Sequence, residues 1–393
     1  MDAKIIDCVL DLALTIQQIP APTFDEGRRA MFVYEHFLAE GLTEVSIDAE
    51  GNVYGKIPGT GLAPPLVVSA HLDTVFPVST DLQIKREAGK VVGPGIGDNA
   101  VGVAGLFGLL WALRAKTVGK DLNINRELKQ YDPWIPILPG DVWLVANVGE
   151  EGLGDLHGMK AIIDRFGEQV LGYIVVEGLS FGKVYNRGLS VQRYKISVRT
   201  PGGHSWVDHN RPSAVHELAG LVTRLLAIPL PEQPRSILNV GVIAGGTTVN
   251  TIAAEAHLEL DLRSEEPGMF ADLAGQVESL VNESNRTDVQ VTAEVIGQRP
   301  AGVISADHPL VRLVIRCLEA QGITPSLNIG STDANFPLSR SLPAICLGLT
   351  TGGGAHSLDE YINIQPLGQG LEQLVAVVEG VYQVSFNNFH IPD

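Results

Sequence analysis

Cysteine, basic side chains and long apolar runs are all scarce in this sequence, and each scarcity closes off a class of function. Only three cysteines occur, Cys8, Cys317 and Cys346. Their odd number and the lack of any CxxC pair argue against a disulfide framework and a thiolate zinc site, and point to a reducing compartment. Lysine and arginine total 28 against 45 aspartates and glutamates, a formal charge of −17. That excess repels phosphate backbones and anionic lipid surfaces, so neither nucleic acid nor a membrane is an expected partner. No run is read as long enough to cross a bilayer. The first residues, MDAKIIDCVLDLALTIQQIP, interleave Asp and Lys with apolar residues at helical spacing, without a basic start or an unbroken apolar stretch, so no signal peptide is expected. The expectation is a soluble, cytoplasmic protein.

At 393 residues the chain exceeds the size at which single cores stop growing, so two domains are expected. Up to about residue 188 helical and strand-like segments alternate: helices near 4–18 and 25–40, strand-like VSIDAEGNVYGKI and PLVVSAHLD, a helix at 100–115, DVWLVANVGEE, a helix at 158–166, and YIVVEG. Such alternation argues an α/β fold with a mostly parallel, doubly wound sheet whose ligands sit beyond the C-terminal strand ends. From about 190 the pattern becomes β-α-β-β-α-β, a self-contained α+β unit. The alternation returns after 300 with a helix at 308–322 and the strand PAICLGL. The expected organisation is a catalytic domain in two parts, 1–188 and 300–393, interrupted by an inserted lid domain at 189–299. Residues 116–140, polar and proline-bearing, read as a surface insertion.

Metal-competent side chains recur at the ends of the apolar runs: His71 and Asp73 in SAHLDTV, Asp98 in GIGDNAVG, Glu150 and Glu151 in VGEEGLG, Glu177 in VVEG and His356 in GAHSLDE. Any one of them is more readily a satisfied loop residue than a ligand. Together they weigh differently, because this architecture aims several strand ends at one crevice, and that many carboxylates there need cations to offset them. Imidazole and carboxylate without thiolate suit zinc, with cobalt or manganese as alternatives, and the number of carboxylates suggests two ions. The HxD spacing lets Asp73 accept the ring N–H of His71 that a metal does not use. Adjacent carboxylates in a glycine-flanked turn can face a metal and a water separately.

Other signals carry less. DLNINRELKQYD at 121–132 opens like a calcium loop, but Arg126 stands where glycine is required and Asp132 where a bidentate Glu is expected. GPGIG lacks dinucleotide-binding spacing, and His36, His157, His209, His216, His257, His308 and His390 need only structural or surface explanations.

In order and combination, SAHLDTV, GIGDNAVGVA, GEEGLG, VVEG, GGHSW, TVNTI with DLR, and GAHSLDE resemble the M20 family of dinuclear metallopeptidases and deacylases, from about residue 67 to 360. The resemblance implies a pair of divalent ions, most simply Zn2+. His71 and Glu177 would hold one, Glu151 and His356 the other, with Asp98 bridging them ahead of a cis peptide to Asn99. It implies Glu150 as the base that activates a water held between the ions, Asp73 as the residue orienting His71, and His204 of GGHSW as an oxyanion donor reaching across a homodimer formed through the lid. Asn250 and Arg263 would hold polar groups of the substrate. GSTDANFP resembles a substrate-side loop of tripeptidase-like members, which makes Asp333 a substrate-binding candidate. The implied activity is cleavage of a peptide bond in small peptides, tripeptidase- or aminopeptidase-like. The alternatives are an N-acyl amino acid deacylase or carboxypeptidase, or a non-catalytic metal-binding protein on the same fold, against which the presence of Glu150 counts.

Overall fold

A computed structural model describes residues 1–118 and 138–384. The 121–132 segment, His390 and most of the 116–140 insertion lie outside the described residues. The chain divides into two compact units: one built from the chain up to Arg187 together with the chain from Gly302 onward, the other from Gly188–Ala301.

In the first unit, strands Val142–Asn147, Leu66–His71, Tyr173–Glu177 and Ala344–Gly348 lie side by side in that order, each parallel to the next. Every residue of Leu66–His71 and Val142–Asn147 is buried. That explains why LVVSAH and VWLVAN are continuous apolar runs: a parallel strand covered on both faces has no solvent side on which polar residues would alternate. The register pairs His71 with Asn147, Ser69 with Val175, and Glu177 with Gly348, so the C-terminal ends finish level along one edge of the sheet.

These four strands form the parallel centre of the sheet. Val53–Ile57 and Lys183–Gly188 flank it antiparallel, and Thr43–Ile47 adds a further antiparallel strand, within a nine-stranded mixed sheet. The strand-like segment VSIDAEGNVYGKI is a hairpin, turned where Asp48 Oδ1 accepts the N–H groups of Glu50, Gly51 and Asn52 at 2.9–3.0 Å. Such Asp-to-backbone bonding is how a short acidic side chain stabilises a turn.

One expectation needs correction. The stretch Ile96–Lys116, which runs from the turn carrying Asp98 into a helix that starts at Val101, is long and apolar enough to cross a membrane by length and composition, but 89% of its most apolar part is buried within the protein. It packs on the strands Leu66–His71 and Tyr173–Glu177 and on the helices Ala3–Gln17 and Leu367–Val381. A helix enclosed on all sides is apolar all round for the same reason a membrane span is.

A small second sheet joins Lys85–Glu87, Lys90–Val92, Tyr361–Asn363 and Gly352–Gly353, pairing Val92 with Tyr361. Two segments nearly 270 residues apart in sequence thereby become neighbours.

The second unit is a four-stranded antiparallel sheet, ordered Ser236–Gly245, Glu255–Ser264, Ser190–Arg199, Gln290–Arg299, with helices Ala214–Leu226 and Pro267–Glu283. In EAHLELDLRS, Ala256, Leu258, Leu260, Leu262 and Ser264 are buried and the alternate residues are not, the period of a strand with one covered face. The helix Pro267–Glu283 starts with Pro at its first turn, and Glu266 accepts from Gly268 N and Met269 N at 3.0 and 2.6 Å, a side-chain cap on otherwise orphan donors.

Candidate metal centre

The level strand ends bring His71 and Glu177, each the last residue of its strand, to one place. His71 Nε2 lies 3.1 Å from Asp98 Oδ1 and 3.5 Å from Glu177 Oε2. On the other side of the same carboxylate, His356 Nε2 lies 3.2 Å from Asp98 Oδ2 and 3.0 Å from Glu151 Oε1. Asp98 therefore shows one oxygen to each histidine. The five residues form two groups that could each hold a metal ion, His71 with Asp98 and Glu177, and Asp98 with Glu151 and His356, the ligand atoms of each group within 4.8 Å of one another. The Asp98–Asn99 peptide is cis.

The electrostatics of this cluster are those of a site that wants positive charge. Burial disfavours a charged His71, yet Glu177, Asp73 and Asp98 outweigh it and push the imidazole well above its ordinary range. Hydrogen bonds that its ring donates to Asp98 and Glu151 raise His356 to about 10. Burial works against ionisation of Asp98, but its bonds to His356 and His71 hold it well below the usual carboxylate range. Glu177 is raised to about 7, first by burial, with Asp98 and Asp333 adding repulsion that His71 only partly offsets. Protons on the two histidines thus stand where cations would.

The donor set fits metal ions as well as protons. It contains imidazole nitrogens and carboxylate oxygens only, which suits borderline and hard divalent cations. The observed separations of 3.0–3.5 Å are close to the ~3.3 Å edge of a tetrahedron built on metal–ligand bonds of roughly 2.0–2.2 Å.

Residues 127–380 match the profile of peptidase family M20/M25/M40, and residues 52–159 match that of peptidase family M28. The chain belongs to peptidase family M20. The family is hydrolytic and metal-dependent, so this M20 chain is an enzyme of the peptidase and amidohydrolase type. It is similar to a succinyl-diaminopimelate desuccinylase of Sphingopyxis alaskensis, 24% identical over 266 residues, 63% of this chain and 66% of that protein. A tripeptidase of Staphylococcus aureus has the same fold, with a TM-score of 0.76, 20% identity, and coverage of 96% of this chain and 99% of that one. So does a dinuclear metal-binding M20 peptidase of Bacillus subtilis, with a TM-score of 0.67, 13% identity, and coverage of 98% and 100%.

Within the M20 site, Asp73 is completely buried and does more than face a histidine. Its Oδ1 accepts from Glu150 N at 3.0 Å, and its Oδ2 from Glu151 N at 2.8 Å and Thr23 Oγ1 at 2.9 Å. His71 Nδ1 is 3.5 Å from Asp73 Oδ1 but 3.1 Å from the Asp73 carbonyl oxygen. The carboxylate therefore anchors the Glu150–Glu151 turn more tightly than it holds the imidazole.

Asp333 is also fully buried, and its Oδ2 accepts from Asn147 Nδ2 at 2.7 Å. In this structure the side chain is enclosed by protein. Its charge acts on Glu177 from within the protein.

His204, Asn250 and Arg263 belong to the second unit. There His204 pairs with Thr251 across a two-residue ladder, beside Asn250, whose carbonyl accepts from Ser205 N at 3.1 Å. His204 Nδ1 accepts from the N–H of Trp206 and of Val207, which in a neutral ring leaves the proton on Nε2, where it can be donated. Arg263 donates from Nε to Asp261 at 2.7 Å, so its guanidinium is already shared with a carboxylate on its own strand.

Several residues around the centre carried no signal that sequence pattern could read. Arg29 is buried and donates to Ile19 O and, at 2.6 Å, to Leu72 O between His71 and Asp73. Thr23, Asn99, Asn147 and Glu360 are likewise tied to the site. Glu360 ends the stretch GAHSLDE, but nothing about its spacing says what it holds.

Proposed function

We propose that this M20 chain hydrolyses a peptide bond of small peptides in the manner of a tripeptidase or aminopeptidase, with two divalent ions, most simply Zn2+. The observation that carries the reading is Asp98, which turns one oxygen to each of two ligand groups, beside a second carboxylate, Glu150, in the turn that Asp73 holds. The tripeptidase-like fold and the GSTDAN loop support small peptides as the substrate class. Co2+ and Mn2+ suit the same donors.

In this reading the ions supply Lewis acidity and lower the pKa of water at the site. His71 and Glu177 hold one side of the centre, and Glu151 and His356 the other, with Asp98 shared. Glu150 takes a proton from the attacking water as the new C–O bond forms, then returns it to the leaving amine as the C–N bond breaks. Asp73 fixes the backbone from which Glu150 projects. His204, with its Nε2–H, is the proposed donor to the oxyanion, a role that rests on the family resemblance. Asn250 and Arg263 are the proposed contacts to polar substrate groups, Arg263 only where a substrate carboxylate competes with Asp261.

We also propose a homodimer through the second unit. Its strand Ser236–Gly245 is an edge of the sheet and leaves Val242 and Ile243 exposed, the kind of edge that pairs with another chain. None of the three cysteines is in a disulfide, which suits the proposed cytoplasmic location.

A second reading, N-acyl amino acid deacylase or carboxypeptidase, draws on the similarity to a desuccinylase. Hydrolysis of a panel of di- and tripeptides and N-acyl amino acids by zinc-, cobalt- or manganese-loaded protein separates them. Fastest turnover of tripeptides with a free amine is the expected result, whereas turnover of acyl amino acids alone selects the deacylase. Activity on none of the panel overturns the peptidase proposal.

A further inference from the structure

We propose that Glu360 and Asn99 are positioning residues that hold Asp98 at a fixed reach between the two ligand groups, each by gripping backbone rather than side chains. The inference rests on the two-ion reading above.

Glu360 is fully buried. Its Oε1 accepts from Gly97 N at 2.6 Å and Asp98 N at 2.8 Å, and its Oε2 from Gly95 N at 3.0 Å. Its carbonyl accepts a fourth bond, from Gly93 N at 2.8 Å. One residue therefore takes up most of the amide donors of the loop that presents Asp98. Among the described residues no lysine or arginine makes an ion pair with it. A buried carboxylate without a cation is costly, and here the three amide dipoles are what stabilise it. A carboxylate that served the core alone would be replaceable by an apolar side chain. This one reads the position of a loop.

The placement of Glu360 gives the grip its reach. It lies four residues after His356 and directly before the strand Tyr361–Asn363, which pairs with Lys90–Val92. The small sheet brings the two segments together, and the carboxylate then sets how far the Asp98 loop stands from the His356 loop.

Asn99 does the same on the other side. Its Nδ2 donates to Val176 O at 2.9 Å and its Oδ1 accepts from Gly178 N at 2.8 Å, so it holds the backbone on both sides of Glu177. The contact has no slack: a Cβ on Gly178 would come within 2.2 Å of Gly97 O. Asp98 is thereby tied by its following neighbour to one ligand group and by Glu360 to the other.

Calorimetric titration of zinc chloride into metal-stripped protein tests this, with the thermal midpoint of the metal-free protein measured alongside. Wild type should take up two ions per chain. Glu360→Gln places an NH2 against an amide N–H, and Asn99→Ser removes the two-way grip. Each should weaken binding of at least one ion by about 10- to 100-fold, the range seen when outer partners of metal ligands are lost. A residue serving only the fold would lower the metal-free midpoint and leave the affinity of the folded protein unchanged. Wild-type affinity for both ions in either folded variant overturns the proposal. Failure of both variants to fold also overturns it, because that assigns the residues to the fold. A wild type that binds no zinc overturns the two-ion reading itself, a result distinct from unchanged variants.

Discussion

The two halves of the candidate centre are built differently. His71 is 1% exposed and ends a strand inside the parallel sheet, whereas the His356 side chain is 54% exposed and sits in a loop with a left-handed backbone, φ 65. Glu177, like His71, ends a strand, and Glu151, like His356, lies in a turn. The inner half inherits its geometry from strand register, which is set by many buried contacts at once. The outer half depends on a few hydrogen bonds, donated by the Glu150–Glu151 turn to Asp73 and by the Asp98 loop to Glu360. Depth also separates the protons: the inner Glu177 is raised to about 7 by burial, and the outer His356 to about 10 by its carboxylate neighbours.

The largest expected effect would separate chemistry from both halves together. Glu150→Gln should lower kcat by roughly 10²- to 10⁴-fold, as loss of a general base does, while metal content measured by elemental analysis stays near wild type. Retained turnover would remove Glu150 from its proposed role.

Next come the halves themselves. His356→Ala should leave one tightly bound ion per chain by calorimetry, because the inner group does not need that loop. His71→Ala should lose the inner ion and, through a misplaced Asp98, weaken the outer one. Equal losses in both variants would erase the difference between the strand-built and loop-built halves.

A smaller change is expected from Asp73→Asn, about 10- to 100-fold in activity or metal affinity. Because Asp73 grips the outer turn more closely than His71, the outer ion should suffer more than the inner one. The reverse order in a calorimetric titration would return Asp73 to the simpler role of orienting the imidazole.

The smallest effect is on stability in the absence of metal. Glu177 rises from 4.5 to about 7 in the folded protein and His356 from 6.5 to about 10. Both folded-state values are raised, so each contribution is fully present below the unfolded value and lost as pH climbs through the folded one. The inner half should lose stability between about pH 4.5 and 7 and the outer half between about pH 6.5 and 10. Thermal unfolding of chelator-treated protein should show a midpoint that falls across this range. A midpoint that rises between about pH 5 and 10 would contradict the assignment.

Much of the centre was legible in the residues because chemistry and pattern coincide there. LVVSAH and VWLVAN are apolar runs of strand length, as a covered parallel strand requires, and a histidine or paired carboxylates at the tip of such a strand point beyond the sheet edge. The M20 motifs sharpened this from a plausible crevice to named ligands. The braces were not legible, since Glu360, Asn99 and Arg29 act on backbone amides and carbonyls, which every residue possesses and no sequence pattern marks. The burial of Asp333 was not legible for a related reason: its bond to Asn147 joins segments 186 residues apart.

By itself the sequence determined the class of chemistry and the alternation of elements, because side-chain type and hydrophobic period are local properties. The run of strand-like and helix-like segments after residue 190 also made a β-α-β-β-α-β insertion the expected organisation. The motif resemblance implied that Asp98 is shared; tertiary structure alone decided how far each of its oxygens stands from His71 and His356, that Asp73 grips the Glu150–Glu151 turn, and that Glu360 reaches back across 262 residues to the amide of Asp98. Those distances depend on how strands pair and loops stack, and both are set by contacts between distant segments that no single segment contains.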